Sequence, residues 1–407
     1  MSPFRSAFIR VHRWAGLTVG LLAVFLAVTG GWIVLRPLLD PLTYPQLMVI
    51  PPCAKPLPID ALAAAAGSSH PQGNVLYVYR YGSPTASSMV RFSDADQVYL
   101  DTCSGKVLGH QAHYGGLYGT AEGLHRFLFV DAGVGMPIIG TTSLVMALVM
   151  AAGGLYLWWP RRKGGWRSAL TFNPRLKGGA FAFKLHTTIG AYAAAIVFVV
   201  AATAVPLSLG WAKNALFTLT ATTDMTESAS RAAAARKRHK GASSSAVIPM
   251  QTAWDEARGK IGGPLLWGSV RNSVKGSPIE VALVEQGAPH EEARSLVYID
   301  PRTGAIVNFH PWSTLNAGTK LYYWLLALHT GHFGGLFVQC LMLAGMVAVA
   351  VLGYTGIESF LRRELRRRRT ALGLSRGPDS DAAGDGAQRP RMVVHSRPST
   401  PRRTRRL

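Results

Sequence analysis

Residues 10–32 read "RVHRWAGLTVGLLAVFLAVTGGW", and from 14 to 35 the chain contains no Lys, Arg, Asp or Glu. A helix needs about 20 mostly apolar residues to cross the hydrocarbon core of a bilayer. Residues 139–159, 187–209 and 335–357 meet the same condition. Four runs of this kind in one chain predict a multi-pass membrane protein. Arg5, Arg10 and Arg13 precede the first run as they would in a signal peptide. Its apolar stretch is too long for one, and no small-residue cleavage site follows, so it reads as a retained span.

The rest of the composition agrees. The 407 residues carry a net charge of +22, from 43 Lys plus Arg against 21 Asp plus Glu, yet only 16% are charged and mean hydropathy is +0.17. Such a basic excess belongs to nucleic acid or to a membrane face, and its distribution decides between them. With the N-terminus inside, segments 1–13, 160–185 and 361–407 hold +20 of the total, whereas the long loops 36–138 and 210–334 hold +3. That is the positive-inside pattern, and it excludes nucleic acid as the partner. Trp158 and Trp159 ahead of "PRRK", and Phe360 ahead of "LRRELRRRR", supply aromatic and basic anchors at the inner boundary.

The predicted organisation is a cytoplasmic N-terminus and first span (1–35), an outer module (36–138), a second span (139–159), a cytoplasmic loop (160–186) and a third span (187–209). A second outer module (210–334), a fourth span (335–360) and a basic tail (361–407) complete it. Beyond about Thr370 the tail is rich in Arg, Pro, Ser, Asp and Gly, a composition that cannot bury a core.

The two outer segments share an order of elements. In the first, "LPIDALAAAAG" (57–67) reads as a helix and is followed by the strand-like runs "VLYVYRYG", "SSMVRFS" and "QVYLDTCSGKVLG". In the second, "IPMQTAWDEARGKIG" (248–262) is followed by "LLWGSVRN", "IEVALVEQG" and "LVYIDPRTGAIVN". Tyr99, Asp101 and Gly105 match Tyr298, Asp300 and Gly304; Asp-x-x-x-Gly suits a hairpin turn with a left-handed Gly. The flanks repeat too: His12, span, module, His125, span, then His186, span, module, His329, span. A parallel duplication puts both halves in the membrane in one direction. It should bring His12 near His186 at the inner face and His125 near His329 at the outer face.

An ionisable group beside an apolar span faces the bundle interior and has a partner. Two facing neutral imidazoles suit the axial positions of a haem, and bis-histidine ligation points to electron transfer rather than oxygen activation. With three cysteines and no CxxCH, any haem is non-covalent. Arg13, Lys184 and Arg126 are candidate propionate partners, although Arg13 and Lys184 serve equally as positive-inside anchors. His332, three residues beyond His329, is an alternative outer ligand or a proton donor. A metal-transport site would add carboxylates or thiolates to imidazole, but the spans hold no Asp or Glu and only Cys340. Cys53 and Cys103 share the outer side, where a disulfide is open to them. GxGxxG and Walker A strings are absent, so reducing equivalents must come from another protein or from quinone.

Taken together, "RVHRWAGLTVGLLAVFLAVTGGW", "LHRFLF", "GGLYLWWPRRK", "KLHTTIGAYAAAIVFVVAATA", "LHTGHFGG" and the module ends "YLDTCSGKVLG" and "YIDPRTGAIV" resemble the PepSY-associated transmembrane helix family of bacterial inner-membrane proteins. The resemblance implies a mainly α membrane fold, with four transmembrane helices in two parallel repeats and two periplasmic PepSY-like α+β modules. It also implies two b-type haems on His12, His186, His125 and His329, with both termini cytoplasmic. The implied activity is reduction of a periplasmic ferric siderophore or other ferric chelate, fed by a cytoplasmic donor or quinone. The other reading is a non-catalytic PepSY sensor or assembly factor that binds a peptide or protein. "RAAAARKRHK" (231–240) and the Arg-rich tail fall outside the motifs that carry the resemblance.

Overall fold

Alternating side chains in "VLYVYRYG" and "IEVALVEQG" have one apolar face to bury, and a computed structural model of the chain shows how they do it. It describes residues 2–161, 165–225, 247–274 and 276–372. The "RAAAARKRHK" run, His239, His395 and the tail beyond residue 372 lie outside these.

The strands are β1 (Val75–Tyr81), β2 (Ser88–Phe92), β3 (Asp96–Leu100), β4 (Val107–Ala112), β5 (Leu265–Arg271), β6 (Ile279–Glu285), β7 (Ser295–Ile299) and β8 (Ile306–His310). They form one antiparallel sheet in the order β4-β3-β2-β1-β5-β6-β7-β8. Each half is a four-stranded meander, and the halves join where β1 pairs with β5, with Val78 opposite Val270 and Tyr81 opposite Trp267. Expected as two modules, the outer segments therefore share a sheet. The strand that leads each meander would otherwise present an unpaired row of N–H and C=O groups, and the two rows satisfy each other.

Helices Ile59–Ser69 and Met250–Lys260 cover one face of this sheet. Ile59, Leu62, Val78, Val90, Phe92, Val270, Ile279 and Leu283 there are fully buried, each worth about 1.5–3 kcal/mol relative to exposure. The two helices also cap each other. Asp60 accepts from the backbone N–H groups of Met250 and Gln251 at 2.9 and 2.8 Å, and the Gln251 side chain accepts from the Ile59 N–H at 2.7 Å. These bonds satisfy helix-start donors that have no partner within their own helix. The paired turns are alike in detail. Asp101 accepts from the N–H groups of Cys103 and Ser104, Asp300 from those of Arg302 and Thr303, and Gly105 and Gly304 have φ of 72° and 73°. Cys53 and Cys103 are bridged, which ties the chain before the first covering helix to the β3–β4 turn.

Among the described residues, three helices are long and apolar enough to cross a membrane: Ala132–Trp158, Gly178–Ser208 and Gly335–Ala371. A bent pair, Pro3–Thr18 and Gly20–Val34, brings the number to four if it counts as one span. Large apolar side chains such as Leu21, Val28, Phe337 and Val347 are exposed on them, as a lipid solvent permits. Their starts differ from expectation. The first run is not a straight span over 14–35; its helix begins at Pro3, capped by Ser2, and turns by 55° at Val19. Thr18 returns its hydroxyl to Trp14 O at 2.9 Å, a bond that bends helices, and Gly20 follows the break. The second helix starts at Ala132, where Asp131 caps Gly133 N–H at 2.8 Å, and contains a π segment, Met146–Ala152. The third starts at Gly178, which places His186 inside it. Two shorter helices, Gly116–Phe127 and Ala317–Thr330, lead from the sheet to the spans and carry His125 and His329 in their last turns.

Candidate functional site

At the sheet end of the bundle, His125 and His329 approach with ring centroids 6.1 Å apart and planes inclined by 39°. A metal–imidazole bond is about 2 Å long, so two rings ligating one ion from opposite sides would have centroids about 6 Å apart. The rings already hold that separation.

Their orientation is fixed from behind. His125 Nδ1 lies 3.1 Å from Leu26 O and 3.1 Å from Thr29 Oγ. His329 Nδ1 lies 3.0 Å from Val200 O and 3.4 Å from Thr203 Oγ. Each threonine hydroxyl donates along its own helix, Thr29 to Phe25 O at 3.0 Å and Thr203 to Val199 O at 2.8 Å, so its oxygen is free to accept. A carbonyl only accepts, hence Nδ1 carries the proton in both rings and Nε2 keeps its lone pair. Ligating histidines show this arrangement, in which the second nitrogen is tied to a carbonyl or carboxylate.

The far end of the bundle repeats it. His12 Nδ1 lies 3.0 Å from Val149 O, and His186 Nδ1 lies 3.0 Å from Thr355 Oγ, whose hydroxyl donates to Val351 O at 2.8 Å. His12 and His186 are within electrostatic reach of each other. Small residues make room for the rings: a Cβ on Gly30 would stand 2.9 Å from His125 Cε1, on Gly154 3.3 Å from His12 Cε1, and on Gly356 3.6 Å from His186 Cε1. Leu26-x-x-Thr29-Gly30 and Leu352-x-x-Thr355-Gly356 share one spacing. Val149 lies in the π segment, whose wider turn puts Gly154 one residue later than that spacing would. A π turn inside an α-helix is commonly a functional feature.

Of the other sequence candidates, Arg126 lines the cavity beside His125 but is 53% exposed and pairs with Glu122 at 3.0 Å. Lys184 donates to the carbonyls of Ser168 and Ala169, closing the C-terminus of helix Gly165–Leu170, so its nitrogen is already engaged there. Arg13 lies half-buried, directly after His12. His332 is not on the helical face of His329, as their spacing suggested. Helix Ala317–Thr330 ends at Gly331 with φ 77°, and His332 turns toward Glu291, 3.8 Å away.

Between His125, His329 and the spans is a cavity of about 670 Å³ with a largely apolar wall that includes Ala27, Ala201, Ala204 and Gly345. Its volume suits a cofactor-sized group. Arg91, Glu292, Arg294 and His332 also border a second cavity of about 650 Å³ beneath the uncovered face of the sheet, beside Tyr79 and Trp267. Arg294 is stacked 5.2 Å from Trp267 and 5.8 Å from Tyr323 and pairs with Glu292. Burial pushes the Tyr79 phenol up to about 12, so it stays a neutral hydroxyl. The residues that sequence reasoning missed are Thr29, Thr203 and Thr355, and the arginines 91 and 294. The threonines had a signal, a Thr followed by Gly or Ala inside an apolar span. The arginines had none, because β2 and the segment before β7 are distant in sequence from the histidines they approach.

The facing imidazoles could hold a planar metal macrocycle, and the chamber above them is aromatic and of mixed charge, with Arg91, Lys213, Arg271 and Arg294 set among Asp224, Glu280, Glu291 and Glu292. Among curated proteins, none matches the chain. The family model for the PepSY-associated TM region matches residues 9–363.

Proposed function

Because the chain belongs to the PepSY-associated TM family, we propose that it is an electron-transfer protein of the bacterial inner membrane with two b-type haems and cytoplasmic termini. One haem is held by His12 and His186 near the cytoplasm, the other by His125 and His329 near the periplasm. The four membrane crossings then form two parallel repeats, and the sheet and its covering helices are two PepSY-like units on the periplasmic side. The observation that carries this reading is the 6.1 Å separation of the His125 and His329 rings, each with its Nδ1 turned to a main-chain carbonyl.

A haem bound by two imidazoles supplies one-electron chemistry with no open coordination position. The protein contributes the rest. Leu26 O and Val200 O fix the tautomer and the angle of the imidazoles. Gly30 leaves room for the Cε1–Nδ1 edge of the His125 ring against helix Gly20–Val34. The apolar wall excludes water, and Arg126, Arg91 and Arg294 at the sheet end offer positive charge to propionates. Trp267 and Tyr79 offer ring faces and Arg91 and Arg294 offer guanidinium groups to a chelate, in a lining that also carries Glu280, Glu291 and Glu292, and this chamber is our proposed acceptor site. The acceptor is a ferric siderophore or another ferric chelate. One added electron weakens its hold on iron, because hard oxygen ligands bind Fe(II) less tightly than Fe(III). Electrons enter from a cytoplasmic donor or quinone.

Protein purified in detergent should be red, with the dithionite-reduced spectrum of low-spin b-type haem. His12→Ala or His186→Ala should remove one haem and leave the other, and His125→Ala or His329→Ala should do the converse. The reduced protein should reoxidise on addition of a ferric chelate. A folded, colourless protein from haem-replete cells would overturn the proposal in favour of a sensor or assembly factor.

A further inference from the structure

At the C-terminal end of helix Ile59–Ser69, His70 turns its ring toward the β2–β3 turn. Its Nε2 is 2.7 Å from Asp94 Oδ2, and its Nδ1 is 3.5 Å from Asp96 Oδ2. On β4, an outermost strand of the sheet, His110 Nδ1 is 3.3 Å from the same Asp96 oxygen. The ligand atoms of His70, Asp96 and His110 all lie within 4.8 Å of one another. We propose that these three residues bind a divalent transition-metal ion of the Zn²⁺ class, with Asp94 as the positioning residue for His70.

Four observations support the site. First, a tetrahedral ion with bonds of 2.0–2.2 Å separates neighbouring ligand atoms by about 3.3–3.6 Å, the spacing of both ring nitrogens from Asp96. A charge-assisted N–H···O contact closes to about 2.7–2.9 Å, as His70 does with Asp94 but not with Asp96. Second, the Asp94 bond on the far nitrogen of His70 reproduces the carboxylate–histidine–metal relay that orients ligating imidazoles. Third, the His70 ring is held in place: it packs edge-on against Phe92 at 4.7 Å, and a Cβ on Gly73 would lie 2.5 Å from it. Asp96 and His110 keep side-chain exposures of 23% and 39%, so an ion has a path in.

Fourth, the fold does not require these residues. Aligning the two halves on their matched helices and turns puts Ile261, Ser295 and Phe309 where the first half has His70, Asp96 and His110. In the second half Ile261 is buried in the sheet core and Phe309 packs against that core. One half closes this corner with apolar contact; the other places three ligands there. Three protein ligands leave a fourth position for water or an incoming ligand.

The test uses the full chain, purified in detergent, free of affinity tag and stripped with chelator. Zn²⁺ titration by calorimetry should show one saturable ion per chain that raises the melting temperature. His110→Phe, which installs the second half's residue, should abolish that ion, and Asp94→Asn should weaken it by about 10- to 100-fold. His125→Ala should retain it, which separates this site from the histidine pairs in the membrane. Should His110→Phe reduce folding yield, the isosteric Asp96→Asn gives the same comparison. Absence of saturable Zn²⁺ uptake by the wild-type chain, or uptake unchanged in both His110→Phe and Asp96→Asn, would overturn the proposal.

Discussion

Gly30 and Gly356 occupy corresponding places behind His125 and His186, and the structure separates what a methyl group would do at each. On Gly30 it would stand 2.9 Å from His125 Cε1, 3.3 Å from Nδ1 and 3.6 Å from the Met346 methyl. Ordinary contact begins near 3.4 Å, so the ring must retreat by about half an ångström, away from Leu26 O and out of line with His329. On Gly356 the nearest atom, His186 Cε1, is 3.6 Å away, which is ordinary contact. Overpacking of this kind costs about 1–3 kcal/mol. If that cost falls on the geometry of the pair, affinity for the outer cofactor drops by about 5- to 150-fold. Gly30→Ala should therefore purify with close to half the wild-type haem per chain, and Gly356→Ala with the full complement. Haem is counted by the pyridine haemochrome against protein from amino-acid analysis. Equal haem content in the two variants, whether full or halved, would refute the reasoning.

Reduction of the Cys53–Cys103 bridge, or Cys103→Ser, opens a loop of 50 residues and should lower stability by about 2–4 kcal/mol. Melting curves with and without a phosphine reductant should show the shift, and Cys340→Ser should not. His113 is held well below the usual imidazole range, down to about 4, chiefly by burial. The unfolded chain therefore takes up a proton between pH 6.5 and 4 that the folded chain refuses, and stability should fall as pH is lowered through that window. His113→Gln should flatten this slope; a melting profile as steep as that of the wild type would assign the effect to other groups.

The histidine framework was legible because polar residues stand out at the edges of apolar spans, and the strands because their alternation has period two. What escaped detection follows from the physics. The β1–β5 seam is made of backbone hydrogen bonds, which leave no side-chain signature, so one sheet looked like two modules. The bend at Val19 arises from a Thr18 hydroxyl and a glycine that hydropathy counts as ordinary span residues. The displacement of His332 from the His329 face turns on Gly331, whose left-handed φ ends the helix within the three-residue interval that spacing treated as continuous. Arg91 on β2 and Arg294 just before β7 reach the cavity only because the folded sheet brings both over it.

The carbonyls of Leu26, Val200 and Val149 and the Thr355 hydroxyl hold their imidazoles from the nitrogen that a ligating ring leaves free. Ordering of the ligands thus belongs to the folding of the bundle and not to its loading. If the proposed haems bind there, they meet imidazoles that are already aligned, and little of their binding energy goes into orienting them.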